Sequence, residues 1–184
     1  MLWRESRGAA APAPLAFFDS LVRIDAQLAD ALGAMLGISA AGLAALKARE
    51  GFAAVPYADQ AGHATIGYGH KIKPGESFTR VSEAEADVLL RADVGAAEIM
   101  IARYVRVPLT QGQHDALVSF LFNVDSDDNG RFRNSSLLTA LNAGDFAAVP
   151  ALLAEWKYVT VGGKKIVSAG LQTRRAGEAG QFVA

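Results

Sequence analysis

The sequence predicts an α+β fold that is mainly α-helical, and three observations support this class. Beyond Pro74, apolar residues recur at three- and four-residue steps, which indicates a series of amphipathic helices. Two short runs rich in β-branched and aromatic residues, 55–57 and 65–68, flank a turn that contains Asp and Gly, which predicts a small hairpin or meander. The length of 184 residues suits one hydrophobic core with an appendage.

Composition and charge narrow the class of function. Hydrophobic residues make up 51% of the chain and charged residues 20%, as in globular domains. Because there is no cysteine, a disulfide framework, a thiolate zinc site and a cysteine nucleophile are excluded. The three histidines are too differently placed to indicate a metal cage, so we expect neither a metal nor another cofactor. The net charge of −1 gives no general attraction for nucleic acid or an anionic membrane.

The first 38 residues are predicted to form an extension before the main domain, 39–184. Residues 1–14 are interpreted as a flexible lead-in. A signal peptide is the alternative, but two prolines interrupt its apolar stretch, so none is predicted. Nowhere does the sequence approach the ~20 consecutive apolar residues of a membrane span.

Residues 15–36 show the periodicity of an amphipathic helix with an acidic polar face. We expect its apolar face to pack on the rest of the chain. A second copy of the chain or a membrane surface are the alternatives. The protein is therefore expected to be a monomer, with self-association through 15–36 left open.

Capping residues mark where helices begin and end. Ser39 is predicted to cap a short helix that ends at Glu50, where Gly51 can adopt a left-handed conformation. Pro150 is expected to delay or bend the penultimate helix. Capping-box patterns mark two further starts, Ser82 with Glu85 and Thr110 with Gln113. Later helices are predicted at 135–141, at 152–156 and from 171. The hairpin at 55–68 is the only clear sheet signal.

The segment 47–70 carries residues that can do chemistry. Glu50 ends a helix, Asp59 follows after eight intervening residues in the hairpin turn, and Thr65 follows after five more on a strand. Glycosidic cleavage needs one carboxylic acid to protonate the leaving oxygen and a second carboxylate to act on the other face of the sugar. Apolar neighbours of Glu50 at positions 46, 52 and 55 favour a protonated carboxyl, whereas the polar turn around Asp59 favours ionisation.

The hydroxyl of Thr65 can donate and accept hydrogen bonds, so it could hold a water molecule against Asp59. Each residue also has an ordinary interpretation. A Glu at a helix end is usually a solvated charge, an Asp in a turn usually serves turn geometry, and Thr is common in strands. Spacing alone therefore leaves the catalytic and the ordinary interpretations open.

The same segment resembles the phage-type lysozymes, or endolysins, of glycoside hydrolase family 24. The family signature is a catalytic Glu followed by Gly, an Asp after eight intervening residues, a Thr after five more, and a glycine-rich strand that ends in His. It appears here as Glu50-Gly51, Asp59, Thr65 and His70. Further segments that resemble the family follow in family order at 109–124, 134–146 and 170–182, so the resemblance covers about 39–184.

The resemblance implies a lysozyme-like two-lobed fold, with a small sheet lobe and a helical lobe on either side of a cleft. It implies hydrolysis of the β-1,4 bond between N-acetylmuramic acid and N-acetylglucosamine in the glycan strand of peptidoglycan, with inversion at the anomeric carbon. It implies that Glu50, Asp59 and Thr65 are catalytic. The implied substrate-binding residues are Phe122, Asn123, Asn134, Ser135 and His70, although an ion pair or hydrogen bond is the expected role of His70.

Some features depart from the family pattern. Asp125 stands where relatives commonly have Gly, and an acidic loop follows it over 126–130. The basic pairs Lys164-Lys165 and Arg174-Arg175 are interpreted as solvated surface.

A catalytically silent lysozyme-like scaffold, or a wall-binding module that docks through 15–36, is the alternative function. Because no signal peptide is predicted, we expect synthesis in a host cytoplasm and action on the bacterial cell wall after release by another agent.

Overall fold

The computed structural model describes residues 37–59, 62–124 and 130–184. Within these ranges it confirms the predicted α+β, mainly α, fold. The helices are α1 (Ala40–Glu50), α2 (Glu83–Tyr104), α3 (Gln111–Val124), α4 (Ser136–Asn142), α5 (Val149–Ala154) and α6 (Ala169–Val183). The strands are β1 (Ala53–Ala58), β2 (Ala64–Gly67), β3 (His70–Lys71), β4 (Tyr158–Val161) and β5 (Lys164–Val167). The amphipathic helix predicted at 15–36 lies outside the described residues, and the domain boundary at 38 stays a prediction.

Strands β1, β2 and β3 form an antiparallel sheet in the small lobe. Tyr57 pairs with Thr65, and Ile66 pairs with His70. The tight turn into β3 needs glycine, because Gly67 and Gly69 have φ angles of +65° and +87°. The predicted hairpin is thus confirmed and is extended by a third short strand. The turn between β2 and β3 lies beside the end of helix α1, where Gly69 is next to the Glu50 carboxylate.

Helix α1 begins and ends where its capping residues predict. The Ser39 hydroxyl accepts a hydrogen bond of 2.9 Å from the Gly42 amide. Gly51, with a φ angle of +73°, donates its amide to the Lys47 carbonyl at 3.0 Å. The Ser39 amide also donates to Asp115 at 2.9 Å, which ties α1 to α3. These contacts fix Glu50 at the carboxyl end of α1.

Helix α2 joins the small lobe to the helical lobe. It has 22 residues and therefore extends ~33 Å. Its capping box is complete, since the Ser82 side chain accepts from the Glu85 amide and the Glu85 carboxylate accepts from the Ser82 amide at 2.8 Å. The helix packs on β2 and β3 at one end and on α3 further along. No helix in the described parts of the chain is long and apolar enough to cross a membrane.

Helix α3 is the centre of the helical lobe. Every residue from 114 to 121 is buried, so the helix is enclosed on all sides. Its ring at Phe120 packs edge-on against Trp156 and Phe132. Helix α6 packs on α3 and α5. This packing brings the polar face of α6 against the side of α3 that leads to the cleft.

Two details of the helical lobe differ from what the sequence predicts. Helix α5 begins at Val149, so Pro150 occupies its first turn, where the missing N–H is tolerated. The helix therefore starts three residues before the predicted start at 152, so the expectation of a delayed start is wrong. The expectation that the chain is helical almost throughout after Pro74 is wrong for 158–167. There β4 and β5 form a hairpin around Gly162 and Gly163, which both have positive φ angles.

The second hairpin was not predicted from the sequence because neither of its faces is buried. Every residue of β4 and β5 is exposed, so the strands lack the alternation of buried and exposed positions that marks a half-buried strand. Its β-branched residues and its two-glycine turn were the available signals. The lysines at 164 and 165 are exposed, as predicted.

Candidate active site

A cleft of about 440 Å³ lies between the small sheet and helices α2 and α3. The three predicted catalytic residues contribute to its lining from different elements. Glu50 comes from the end of α1, Asp59 from the turn after β1, and Thr65 from β2. Phe122 and Asn123 line the same cleft from α3. The structure therefore brings together five of the residues proposed from the sequence.

Glu50 is held by an arginine from the other end of the chain. Its Oε1 atom accepts a hydrogen bond of 2.6 Å from Arg174 Nη1, and the Glu50 side chain is 18% exposed. A Cβ atom at position 69 would lie 3.6 Å from Glu50 Oε2. Because Gly69 has no side chain, this second carboxylate oxygen keeps space on the side of the β2–β3 turn.

The surroundings of Glu50 differ from the apolar pocket expected from its neighbours in sequence. Leu46 is fully buried, but Phe52 and Val55 are 41% and 47% exposed. The close neighbour is the guanidinium group of Arg174, whose Nη1 atom lies 2.6 Å from Glu50 Oε1. The environment of Glu50 is therefore set mainly by charge and by hydrogen bonds.

Arg174 and Arg175 are buried, so their interpretation as solvated surface residues is wrong. The Arg174 side chain is 10% exposed and that of Arg175 is 1% exposed. Arg174 Nε contacts Glu178 at 3.0 Å and its Nη2 donates to the Ser119 carbonyl at 2.9 Å. With Nη1 on Glu50, all three nitrogens of the guanidinium group are engaged. The segment 170–182 is part of the family resemblance, but the resemblance implied no role for either arginine.

Arg175 connects the buried charges to the cleft wall. Its Nη2 atom donates to Asn123 Oδ1, and its Nη1 atom lies 3.0 Å from Glu178. Burial lowers the pKa of Arg175 to about 10, an effect that the charge of Glu178 opposes and that of Arg174 reinforces. Arg175 therefore remains a cation at neutral pH and orients the Asn123 amide in the cleft.

Asp59 is fixed by the loop that it precedes. Its Oδ1 atom accepts a hydrogen bond of 2.8 Å from the His63 amide, and Oδ2 lies 3.3 Å from His63 Nδ1. The Asp59 side chain is 25% exposed, which agrees with the polar turn expected from the sequence. The carboxylate thus has a defined orientation and stays accessible to solvent in the cleft.

Thr65 offers its hydroxyl oxygen as an acceptor. The side chain is 2% exposed, and Oγ1 donates to the His63 carbonyl at 3.0 Å. Because its only proton is used in that bond, the hydroxyl can hold a water molecule through its lone pairs. Asp59 and Thr65 both form hydrogen bonds with His63, which fixes their positions relative to each other.

Asn134 and Ser135 do not line this cleft. Asn134 donates its side-chain amide to the Gly130 carbonyl at 2.9 Å, a local bond within the turn before α4. Ser135 caps α4 and lines an adjacent groove of about 720 Å³, which shares Asn123 with the cleft. Of these two proposed substrate residues, only Ser135 has a place in a groove next to the site.

His70 has a structural environment and is not part of the cleft lining. The ring is 3% exposed, and its Nδ1 and Nε2 atoms donate to Asp93 and Glu76 at 2.7 and 2.9 Å. Burial by itself lowers the pKa of His70, but the hydrogen bonds to Glu76 and Asp93 outweigh it, so this pKa lies above 6.5. The structure thus favours the expected ion-pair role of His70 over sugar binding.

The His70 ion pairs predict a pH-dependent contribution to stability. A folded-state pKa above the unfolded value of 6.5 makes this contribution complete below pH 6.5 and removes it as pH rises through the folded value. We expect His70→Gln to lower the free energy of unfolding by about 1–3 kcal/mol at pH 6 and by less at pH 9. Urea unfolding at both pH values measures this, with His63→Gln as the exposed control. An equal loss at both pH values would contradict the prediction.

No group of three or more His, Asp or Glu side chains is placed to bind a metal ion within 37–59, 62–124 and 130–184. The groups that line or adjoin the cleft include two carboxylates, a hydroxyl and two arginines. This set of groups, in a cleft between a small sheet and a helical lobe, is that of a lysozyme-type glycoside hydrolase.

Comparisons with known proteins agree with this class. The family model for phage lysozyme matches residues 47–178. The endolysin of Acyrthosiphon pisum secondary endosymbiont phage 1 is 35% identical over 147 residues, which cover 79% of this chain and 97% of that protein. The SAR-endolysin of bacteriophage PS119 is 38% identical over 129 residues, or 68% of this chain and 71% of that protein.

A solved structure gives the same result. The muramidase domain of SpmX from Asticaccaulis excentricus superposes with a TM-score of 0.71 at 34% identity, covering 80% of this chain and 97% of that one. The chain belongs to the phage lysozyme family, and it is a glycoside hydrolase. The lysozyme-like fold expected from the resemblance is confirmed.

Proposed function

We propose that this protein hydrolyses the β-1,4 bond between N-acetylmuramic acid and N-acetylglucosamine in peptidoglycan, with inversion at the anomeric carbon. The observation that carries the proposal is that Glu50, Asp59 and Thr65 line one cleft. One carboxylate comes from the end of α1, and the other comes with a hydroxyl from the hairpin. This arrangement supplies both groups that cleavage of a glycosidic bond requires.

Glu50 is the proposed acid. With Oε1 held by Arg174, Oε2 is the oxygen that can carry the proton to the glycosidic oxygen. A sugar bound in the cleft displaces water from the carboxyl group, which favours its neutral form over the carboxylate. The proton passes to the leaving oxygen as the bond to the anomeric carbon breaks.

Asp59 and Thr65 are proposed to organise the attacking water. The water donates one hydrogen bond to the Asp59 carboxylate and one to the Thr65 oxygen. Its lone pair then faces the anomeric carbon from the side opposite the leaving group. Asp59 takes the proton as the new C–O bond forms. Attack from that side converts a β-linkage into an α-product, which is why we propose inversion.

Three features of the cleft wall are proposed to hold the sugar chain. Phe122, which is partly exposed, offers an apolar ring surface, and Asn123 offers an amide whose orientation is fixed by Arg175. Tyr57 adds a second aromatic side chain, 44% exposed, from β1. Aromatic surfaces with a few fixed polar groups are typical of ligand clefts.

The remaining expectations about the protein in its setting are part of the same proposal. We propose synthesis in a host cytoplasm, action on the cell wall after release, and a monomeric state. Residues 1–38 are proposed to be an extension to the domain 39–184. The Ile38 amide donates to Glu98 at 2.7 Å, so the chain is attached to α2 from the predicted boundary onward.

Product analysis tests the reaction. Peptidoglycan digested by the protein is examined by mass spectrometry for the sugar at each new reducing end, and early products are examined by proton NMR for their anomeric form. We expect N-acetylmuramic acid at the reducing end, formed first as the α-anomer. An anhydro product lighter by one water, an initial β-anomer, or a new N-acetylglucosamine reducing end would each contradict a stated part of the proposal.

A further inference from the structure

A fully buried carboxylate, Glu178, lies behind the cleft. Its Oε1 atom accepts a hydrogen bond of 2.8 Å from the Ser119 hydroxyl and lies 3.0 Å from Arg174 Nε. Its Oε2 atom lies 3.0 Å from Arg175 Nη1. Replacing a buried ion pair by apolar groups is often neutral or even stabilising. Stability alone therefore gives no reason for this cluster.

Glu178 stands at the base of a fork whose two tips contact residues that line the cleft. One tip is Arg174 Nη1, which donates to Glu50 Oε1 at 2.6 Å. The other tip is Arg175 Nη2, which donates to the Asn123 side chain. A guanidinium group is planar and rigid, so fixing one edge aims the opposite edge. Glu178 thus contacts both guanidinium groups on the side away from the cleft, without reaching the cleft itself.

The charges around this cluster give Glu178 a second effect. Helix α1 contributes Arg49 and Glu50, and α6 contributes Arg174, Arg175 and Glu178. The side chains that α3 adds, at 119 and 123, are uncharged, and α5, which also packs on α6, contains no titratable residue. Without Glu178, this cluster would contain three arginines and the single carboxylate of Glu50. Because nearby cations favour an ionised carboxylate, that imbalance would oppose the protonated acid.

We propose that Glu178 is a positioning residue for the glycosidic reaction. It aims Arg174 at Glu50 and Arg175 at Asn123, and it shares the charge of Arg174 so that Glu50 can carry a proton. This inference rests on the proposed function, because it takes Glu50 as the acid. The proposal predicts that Glu178, a residue outside the cleft, affects both kcat and the dependence of kcat on pH.

Glu178→Gln is the main test, because glutamine keeps the shape and removes the charge. With soluble glycan strands as substrate, we expect kcat to fall about 10- to 100-fold, as for a small displacement of a reacting group, with little change in KM. We also expect the alkaline limb of the kcat–pH profile to move to lower pH. A folded variant with wild-type kcat and a wild-type pH profile would overturn the proposal.

Glu178→Asp separates position from charge. It keeps the negative charge but is one methylene shorter, so it cannot reach both arginines in the same way. We expect a lower kcat with the alkaline limb at its wild-type position. If Glu178→Gln does not fold, Glu178→Asp still tests the proposal. A wild-type kcat for Glu178→Asp, corrected for the folded fraction, would then overturn the proposal.

A core variant supplies the control for destabilisation. Leu141 in α4 is fully buried, so Leu141→Ala should leave a cavity and lower the melting temperature. Measured where it is folded, it should keep the wild-type pH profile. If the wild type leaves the strands intact, the proposed function fails. If the wild type cleaves them, Glu50→Gln does not, and the Glu178 variants behave as Leu141→Ala, only the present inference fails.

Discussion

Replacing Glu50 with glutamine is expected to lower kcat by about 10²- to 10⁴-fold, the range by which a positioned general acid accelerates a reaction. Glutamine has nearly the same shape and can still accept a hydrogen bond from Arg174, so the fold should be retained. It cannot supply the proton for the leaving oxygen. Initial rates of turbidity loss of a peptidoglycan suspension, at equal concentrations of folded protein, measure the effect.

The matched control is Glu83→Gln. Glu83 is exposed in the first turn of α2, so Glu83→Gln makes the same chemical change outside the cleft. We expect this variant to clear the suspension at close to the wild-type rate. Equal clearing by wild type and Glu50→Gln would end the acid assignment. Absence of clearing by the wild type as well would favour the catalytically silent scaffold.

Replacing Asp59 with asparagine is the second change with a large expected effect. Asparagine can still accept the hydrogen bond from the His63 amide through Oδ1, so the loop should keep its shape. It loses the negative charge that takes the proton from water, and we expect kcat to fall about 10²- to 10⁴-fold. Turnover of soluble glycan strands, measured with the reducing-end assay, tests this.

Asp145→Asn is the control for this change, because Asp145 is exposed and its Oδ1 atom accepts a comparable local bond from the Ala148 amide at 3.2 Å. It should leave kcat unchanged. An Asp59→Asn variant that is folded and turns over at the wild-type rate would remove Asp59 from the reaction. The water would then need another base, and the inverting mechanism proposed for this cleft would be wrong.

Local features of the fold could be predicted because the residues that determine them are close in sequence. Ser39 caps α1, and Ser82 forms its capping box with a residue three positions later. Asp59 and Thr65 are both bonded to His63, so the short segment that contains them also fixes their geometry. For the same reason, the family resemblance, which depends on fixed spacings within this segment, could indicate Glu50, Asp59 and Thr65 as cleft residues.

The sequence by itself determined the fold class, the ends of the main helices and the proposed catalytic residues Glu50, Asp59 and Thr65, because each depends on nearby positions. Only the tertiary structure decided the surroundings of Glu50. Its partner Arg174 is 124 residues away, and the packing of α6 on α3 and α5 buries that arginine together with Glu178. The sequence does not distinguish two adjacent arginines on a solvated surface from two that are buried behind an active site. Which of these they occupy depends on the neighbours that the folded chain brings to them.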